Sequence, residues 1–180
     1  MDGDPDGELA KRAAAGDRVA FAALAARHYD KVHALAWRWT GARASAEDVA
    51  QDAMVKLAGA IRGFRGDAAF STWLYRLAYT AAVDYLRARQ RIAVLEPSQM
   101  AALIDGDGAA PTPEDDLADR DLWRAVRALP EAQRDAVLLV YGEDLSHQEA
   151  AAVLGCAEAT VSWRLHEARK LLKIKLEAGS

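Results

Sequence analysis

Arginine and aromatic side chains are interleaved along one predicted helix in the first half of the chain. Aromatic rings can stack on unpaired bases and arginines can hold a strand backbone, so this composition predicts a surface for single-stranded nucleic acid. Intervals of four, three and four residues place the central members on one helical face, and three aromatic residues lie beside it. The set comprises Arg76, Thr80, Val83 and Arg87 on the face and Trp73, Tyr75 and Tyr79 at its edge.

The segment that leads into this helix contains a glycine hinge. Phe64 and Arg65 precede Gly66, and Phe70 follows it at the predicted start of the helix. We expect the loop to bring aromatic and basic side chains to the same surface, and Phe70 also begins the apolar stripe of the helix.

A second segment has the spacing of a helix-turn-helix. Ser146 and Glu149 are three residues apart, as in a capping box that starts a helix, and Gly155 follows where a tight turn is needed. In the next helix, Val161 and Leu165 would face the first helix, so the other side chains would face a DNA major groove. Its arginines suit phosphate contacts, and a glutamate there can accept from a cytosine amino group. The residues offered to DNA are Thr160, Ser162, Trp163, Arg164, His166, Glu167 and Arg169.

A third polar group precedes both segments. Asp48, Gln51 and Asp52 share one face of a predicted helix, opposite the apolar residues Val49 and Ala53. Taken alone, this is the pattern of an ordinary surface helix.

Catalytic and metal-binding patterns do not stand out in the sequence. The single cysteine excludes an internal disulfide, and the four histidines lack metal-ligand spacing. No phosphate-binding loop, nucleophile with a base, or paired catalytic carboxylates stand out. We therefore expect a binding protein and not an enzyme, with no cofactor and no metal. Without a signal-like segment or an apolar run of about 20 residues, the predicted location is cytoplasmic.

Charge divides the chain into three parts, although its net charge of −4 alone argues against nucleic-acid binding. Residues 1–91 hold 14 basic and 11 acidic side chains, residues 92–121 hold 1 and 8, and residues 122–180 hold 8 of each. The middle part is rich in Gly, Pro and like charges, which predicts a flexible linker. We therefore predict two domains, 1–91 and 120–180, joined by an acidic linker at 92–119.

Apolar residues recur every three or four positions in both flanks, which predicts an all-α fold of two small helical domains. A long helix should start at Gly16-Asp17 and stop at Thr40-Gly41. Ser45 is expected to cap a second helix over 46–62, with Asp48 completing a motif like a capping box. A third helix is expected over 70–89.

Together these motifs resemble the extracytoplasmic-function (group 4) sigma factors, from Leu9 to Arg91 and from Leu122 to Leu176. The resemblance implies that Asp48, Gln51 and Asp52 bind core RNA polymerase at its clamp helices, which replaces the ordinary-surface interpretation. It implies that the loop at 64–70 and the helix at 72–91 capture and melt the −10 element. The motif at 129–134 and the helix-turn-helix resemble region 4, which reads the −35 element.

The resemblance also implies partners and regulation. Core RNA polymerase would bind through its clamp helices and flap and would do the chemistry, with promoter DNA as the second partner. A cognate anti-sigma factor, which can hold the protein at the membrane, and a role in a stress or envelope response are further implications.

At three places this sequence differs from the residues that are common in the family. Thr80 stands where many members have Asn, Met54 where Phe is common, and Ser162-Trp163 where a basic-Ser pair is frequent. The −10 and −35 sequences read by the chain are therefore not carried over from the family. Two alternatives remain open. One is a stand-alone helix-turn-helix regulator that binds an operator as a dimer, which leaves residues 1–91 unexplained. The other is a degenerate family member that acts only as a protein-interaction module.

Overall fold

The computed structural model describes residues 5–95 and 117–178, and every regular element in these ranges is a helix, as predicted. Most of the predicted linker lies outside the described residues. None of the described helices combines the length and apolar character needed to cross a membrane. The first domain contains α1 (Pro5–Ala14), α2 (Arg18–Thr40), α3 (Arg43–Ala60), a 3-10 turn (Ile61–Gly63) and α4 (Phe70–Leu95). The second contains α5 (Leu117–Arg127), α6 (Glu131–Val137), a π turn (Leu138–Gly142), α7 (His147–Leu154) and α8 (Glu158–Ala178).

The limits of α2 are those the sequence predicted. The Asp17 side chain accepts from the backbone N–H groups of Val19 and Ala20 at 2.9 and 3.0 Å, which caps the helix start. Gly41 ends it in the left-handed conformation with φ 74°, and its N–H bonds to the Trp37 carbonyl. The stop signal at Thr40-Gly41 is therefore confirmed.

The prediction that Ser45 caps α3 is wrong. The helix begins at Arg43, and its N-terminal neighbour Ala42 makes no side-chain cap. Ser45 lies inside the helix and is buried against α4, where its hydroxyl accepts from the Tyr85 hydroxyl at 2.9 Å and from Arg89 Nη1 at 3.1 Å. These tertiary partners, donated by another helix, outweigh the local capping preference of serine.

The core of the first domain forms where α1, α2, α3 and α4 pack together. Its fully buried side chains include Leu24, Leu35, Leu57, Phe70 and Leu74. The sequence did not predict α1, which is held to α2 by a hydrogen bond of 2.9 Å between the Asp6 carboxylate and His28 Nε2. This packing fixes the base of α4, the helix that carries the predicted single-strand surface.

The second domain packs α5, α6 and α7 against α8 around Leu138, Leu139, Val161 and Leu165. The predicted capping box is confirmed, because Ser146 accepts from the Glu149 N–H and the Glu149 carboxylate accepts from the Ser146 N–H. Gly155 makes the turn to α8 with φ 65°. Val161 and Leu165 face inward as predicted, so the helix-turn-helix has its expected geometry.

The two domains lie in contact. Helix α2 touches α5 and the π turn, and α4 touches α7. Between them, Trp39 Nε1 donates to the Asp135 carboxylate at 2.9 Å in a buried position. The sequence predicted two domains but contained no indication that they pack together.

Candidate nucleic-acid interface

Helix α4 presents an exposed polar strip to solvent. Arg76, Thr80 and Arg87 are exposed, and Arg65 from the preceding loop is 84% exposed. Thr80 donates its hydroxyl proton to the Arg76 carbonyl at 2.9 Å, so its oxygen remains able to accept from a base. The strip thus combines guanidinium groups for phosphates with a small group placed at the centre of the helix.

The aromatic residues before and at the start of α4 form a supporting cluster. Phe70 is fully buried, and its ring lies 5.7 Å from that of Phe64 and 6.0 Å from that of Trp73. His28 packs against Phe70 in an edge-on geometry at 5.3 Å. Phe64 is only 8% exposed and Trp73 is half-buried. Because Phe70 is fully buried, the prediction that it contacts DNA is wrong. Its ring instead packs against Phe64 and so holds the preceding loop against α4.

A second row of side chains on α4 is buried or half-buried. Tyr75, Tyr79 and Val83 follow one another at four-residue steps, and Val83 is 8% exposed. The prediction that Val83 faces outward is wrong: at about 100° per residue, Val83 is the member of the predicted face that lies nearest to Tyr79, and Arg87, the next residue at a four-residue step, is already exposed. Burial, together with the negative charge of Asp135, raises the pKa of Tyr79 to about 12.

Helix α8 carries the predicted −35 residues on its outer side. Trp163 is 58% exposed, and its neighbour Ser162 is exposed and bonds to His147 Nδ1 at 2.9 Å. His166 is exposed and Thr160 half-buried. An apolar ring held out from a helix beside hydroxyl and imidazole groups can contact base edges and thymine methyls in a major groove.

Charged residues flank this outer side. The hydrogen bond from Lys170, at 2.9 Å, lowers the pKa of the Glu167 carboxyl, which keeps it an ionised acceptor. Arg169 lies 5.9 Å above the Tyr141 ring and donates to its hydroxyl, so its guanidinium is held at the edge of the helix. Arg164 is half-buried and points toward Cys156 Sγ at 3.9 Å, which makes it the least available of the predicted set.

The predicted polymerase-binding residues lie together on α3. Asp48, Gln51 and Asp52 are all exposed on its solvent side, and Lys56 holds the Asp52 carboxylate at 3.4 Å. Val55 lies on the same helix and is 69% exposed, which adds an apolar side chain to this acidic surface. The arrangement suits a partner that offers cationic side chains around an apolar contact.

Sequence reasoning missed the residues that join the domains. Arg38 donates to the Gly142 carbonyl at 2.9 Å and pairs with the Glu143 carboxylate, which also accepts from Tyr75. Asp135 is 1% exposed and accepts from Trp39, Tyr79 and Arg134. The available signal was an acidic residue directly before the apolar run 136–140, which places a carboxylate on a buried face.

Within residues 5–95 and 117–178, no three His, Cys, Asp or Glu side chains come together as a metal site would require. The buried polar groups belong instead to helix packing and to the contact between the domains.

Comparison with known proteins matches both domains. The family model for Sigma-70 region 2 matches residues 24–92, and the model for Sigma-70, region 4 matches residues 119–172. The ECF RNA polymerase sigma-E factor of Haemophilus influenzae is 32% identical over 96% of this chain and 95% of its own length. The sigma-E factor of Escherichia coli K12 is 34% identical over 96% and 94%, and the RNA polymerase sigma-H factor of Pseudomonas aeruginosa is 33% identical over 97% and 95%.

Solved structures give the same result. CnrH, in complex with the cytosolic domain of CnrY, superposes with a TM-score of 0.71 at 29% identity, over 97% of this chain and 99% of that one. The sigma factor RpoE of Bartonella quintana, in complex with the anti-sigma factor NepR, gives 0.65 at 26% identity, over 83% and 91%. Because one superposition on CnrH covers both domains, their relative placement is similar as well as their folds.

Proposed function

Because the chain belongs to the extracytoplasmic-function group of the sigma-70 family, we propose that its two domains bind the two elements of a bacterial promoter while core RNA polymerase does the chemistry. Each domain is weakly charged, so neither would hold DNA tightly at physiological salt. Fixing both on one polymerase makes the second binding event intramolecular, and avidity then supplies specificity. The observation that carries this proposal is the exposed strip of Arg76, Thr80 and Arg87 on a helix backed by a fully buried aromatic cluster.

The first domain would read the −10 element as an opened strand. Arg65, Arg76 and Arg87 would hold phosphates, because they are exposed guanidinium groups along the strip. Thr80 would meet a base, and the half-buried ring of Trp73 would border the loop where a flipped base enters. Phe64 and Phe70 would support this loop from beneath, since both are buried.

The second domain would read the −35 element as duplex. Trp163 is an exposed aromatic side chain on α8 and would contact a thymine methyl or base edge in the major groove. Glu167 would accept from a cytosine amino group, and Arg169 would hold a phosphate at the edge of the groove. A Glu167→Ala variant with unchanged −35 preference would remove the cytosine assignment.

Core polymerase would dock on α3. Asp48, Gln51 and Asp52 offer an acidic surface beside Val55, and we assign the polymerase clamp helices to it. The domain limits 1–91 and 120–180 remain a prediction, which the family matches at 24–92 and 119–172 support.

An anti-sigma factor is the proposed regulator. Bartonella quintana RpoE was solved with an anti-sigma factor, and CnrH was solved with the cytosolic domain of CnrY. We assign a partner of the same kind to this chain, with release under stress of the cell envelope as the setting.

Transcription by bacterial core RNA polymerase on genomic fragments, with and without the protein, tests the proposal. Start sites that depend on the protein and share upstream −10 and −35 sequences are expected. Thr80→Ala should alter the shared −10 sequence and Trp163→Ala the −35 sequence, whereas Val19→Ser, at a residue 76% exposed on α2, should alter neither. Tight specific DNA binding without polymerase, and no new starts, would instead establish a stand-alone regulator.

A further inference from the structure

A hydrogen bond joins the two helices of the helix-turn-helix on the side of α8 that would face DNA. His147, the first residue of α7, places its Nδ1 atom 2.9 Å from the Ser162 hydroxyl oxygen. The two residues lie 15 positions apart and are brought together by the turn at Gly155. Ser162 is exposed on α8 beside Trp163, so the bond ends at a group that DNA would meet.

The Ser162 hydroxyl has a second partner within its own helix. Its oxygen lies 3.3 Å from the Glu158 carbonyl oxygen, to which it donates in the way common for serine inside helices. A carbonyl oxygen only accepts, so this bond uses the single proton of the hydroxyl. The imidazole must then supply the proton of the other bond, from Nδ1–H of His147 to the serine oxygen. Only this arrangement of protons makes both contacts hydrogen bonds.

With its proton engaged, the Ser162 oxygen has a lone pair left for an outside donor. A serine hydroxyl carries one proton and two lone pairs, and here Nδ1–H occupies one of the lone pairs. A serine without such a partner can rotate and either donate to a base or accept from it. The contact with His147 therefore makes Ser162 an acceptor. A protonated imidazole also donates from Nδ1, so the result is the same in either charge state.

An acceptor on the outer side of α8 distinguishes two pairs of bases in a major groove. Adenine and cytosine present an amino group there, whereas guanine and thymine present a carbonyl oxygen. The Ser162 oxygen would accept from an amino group but has no proton to offer a carbonyl oxygen. The expected signature is a preference for adenine or cytosine over guanine or thymine at one position of the −35 element.

The imidazole of His147 is held in place by its surroundings. The capping box of Ser146 and Glu149 fixes the backbone at the start of α7, and the His147 side chain is half-buried. A hydrogen bond between groups that water can reach adds little to the stability of the fold. The main consequence of this bond is therefore where the Ser162 proton lies.

We propose that His147 determines −35 specificity through Ser162: its Nδ1–H fixes the serine hydroxyl as an acceptor for an adenine or cytosine amino group. His147 is a positioning residue, because it acts on the base through Ser162. This inference rests on the proposed function, which assigns the outer side of α8 to the −35 element.

A promoter library tests the proposal with core RNA polymerase and the full-length protein. The library consists of a promoter that the protein activates, with its −35 element randomised, and the transcripts from each sequence are counted. The position whose base preference changes in Ser162→Ala is the one that Ser162 reads. The wild type should favour adenine or cytosine there by about fivefold, and His147→Ala should reduce this preference to less than about twofold at that position alone.

Two matched controls change the same end of α7. The amide of asparagine reaches about as far as Nδ1 and can donate, so His147→Asn should keep the preference. Gln148 is the next residue and is exposed, and Gln148→Ala should keep it as well. Combining His147→Ala with Ser162→Ala should reduce the preference no further than Ser162→Ala alone, because the two side chains act as one unit. Circular dichroism of each purified protein would confirm that it is folded.

A uniform loss would overturn the proposal. If His147→Ala lowers transcription from every −35 sequence by the same factor and keeps the base preference, then His147 contacts a phosphate or only supports the fold. An unchanged preference with unchanged transcription would overturn it equally.

Nuclear magnetic resonance of the free protein tests the hydrogen bond without DNA or polymerase. Long-range proton–nitrogen spectra at about pH 8.5, above the range in which histidine ordinarily ionises, distinguish Nδ1–H from Nε2–H. The signals that His147→Asn lacks identify the ring. They should show a protonated Nδ1 in the wild type and a protonated Nε2 in Ser162→Ala, which has lost the acceptor.

The two proposals fail in different ways. If Nδ1 is protonated as expected but no start site depends on the protein, the hydrogen bond stands and the proposed function is the part that fails. A protonated Nε2 in the wild type, with promoter-dependent transcription intact, overturns the role of His147 and leaves the proposed function in place.

Discussion

Replacing Phe70 by alanine separates a structural role from a DNA-binding role at the start of α4. The side chain is fully buried and its ring contacts three other rings, those of His28, Phe64 and Trp73. The variant should lose stability first, because the cavity would remove the support of the whole cluster. A direct base contact would instead leave stability unchanged and weaken binding only.

The expected loss in the free energy of unfolding follows from how Phe70 is packed. Truncation of a buried Phe to Ala costs about 3–5 kcal/mol. Phe70→Leu keeps most of the volume but loses the aromatic pairs, each of about 0.5–1.5 kcal/mol, so we expect about 1–2 kcal/mol for that change. Against a total stability of about 5–15 kcal/mol, the alanine variant should still fold but with a markedly lower midpoint.

Urea unfolding followed by circular dichroism at several protein concentrations measures both variants. Arg76→Ala is the matched control on the same helix, because its side chain is exposed and its loss should change stability by less than about 0.5 kcal/mol. A Phe70→Ala protein with the unfolding midpoint of the wild type and a specific loss of −10 binding would refute the structural assignment.

Three further predictions concern the caps and the domain contact. Ser146→Ala removes the capping box of α7 and should lower the free energy of unfolding by about 1 kcal/mol in urea, while Ser146→Asp should keep most of it. Gly41→Ala should cost about 1–2 kcal/mol, because φ is 74° and a Cβ would lie 2.7 Å from Arg127 Nε; a thermal midpoint equal to that of the wild type would contradict it. Burial raises the pKa of Asp135 and Glu143 above their ordinary values of 3.8 and 4.5. The folded protein therefore holds these protons more tightly than the unfolded chain. The stability that protonation contributes is fully present below the ordinary pKa values and is lost as pH rises through the raised pKa values of the folded state. The free energy of unfolding should therefore fall more steeply above those ordinary values in the wild type than in an Asp135→Asn variant, and equal slopes in urea titrations would show that this linkage is absent.

The fold was predictable where local signals and tertiary packing agree. Asp17 and Gly41 bound α2 as expected, and Ser146, Glu149 and Gly155 shape the helix-turn-helix as expected. In each case the signal acts on backbone groups within a few residues, so no knowledge of other helices is needed.

The predictions that failed concern residues whose positions depend on contacts with a helix distant in the sequence. Ser45 accepts hydrogen bonds from donors on α4 and makes no cap, and Val83 is buried beside Tyr79 although the helical spacing groups it with the exposed Arg76, Thr80 and Arg87. The contact between Trp39 and Asp135 joins positions 96 residues apart, and no periodicity within either segment reports such a pair. A sequence can show that Asp135 adjoins an apolar run, but the Trp39 and Tyr79 donors that help to make its burial tolerable lie in the other domain.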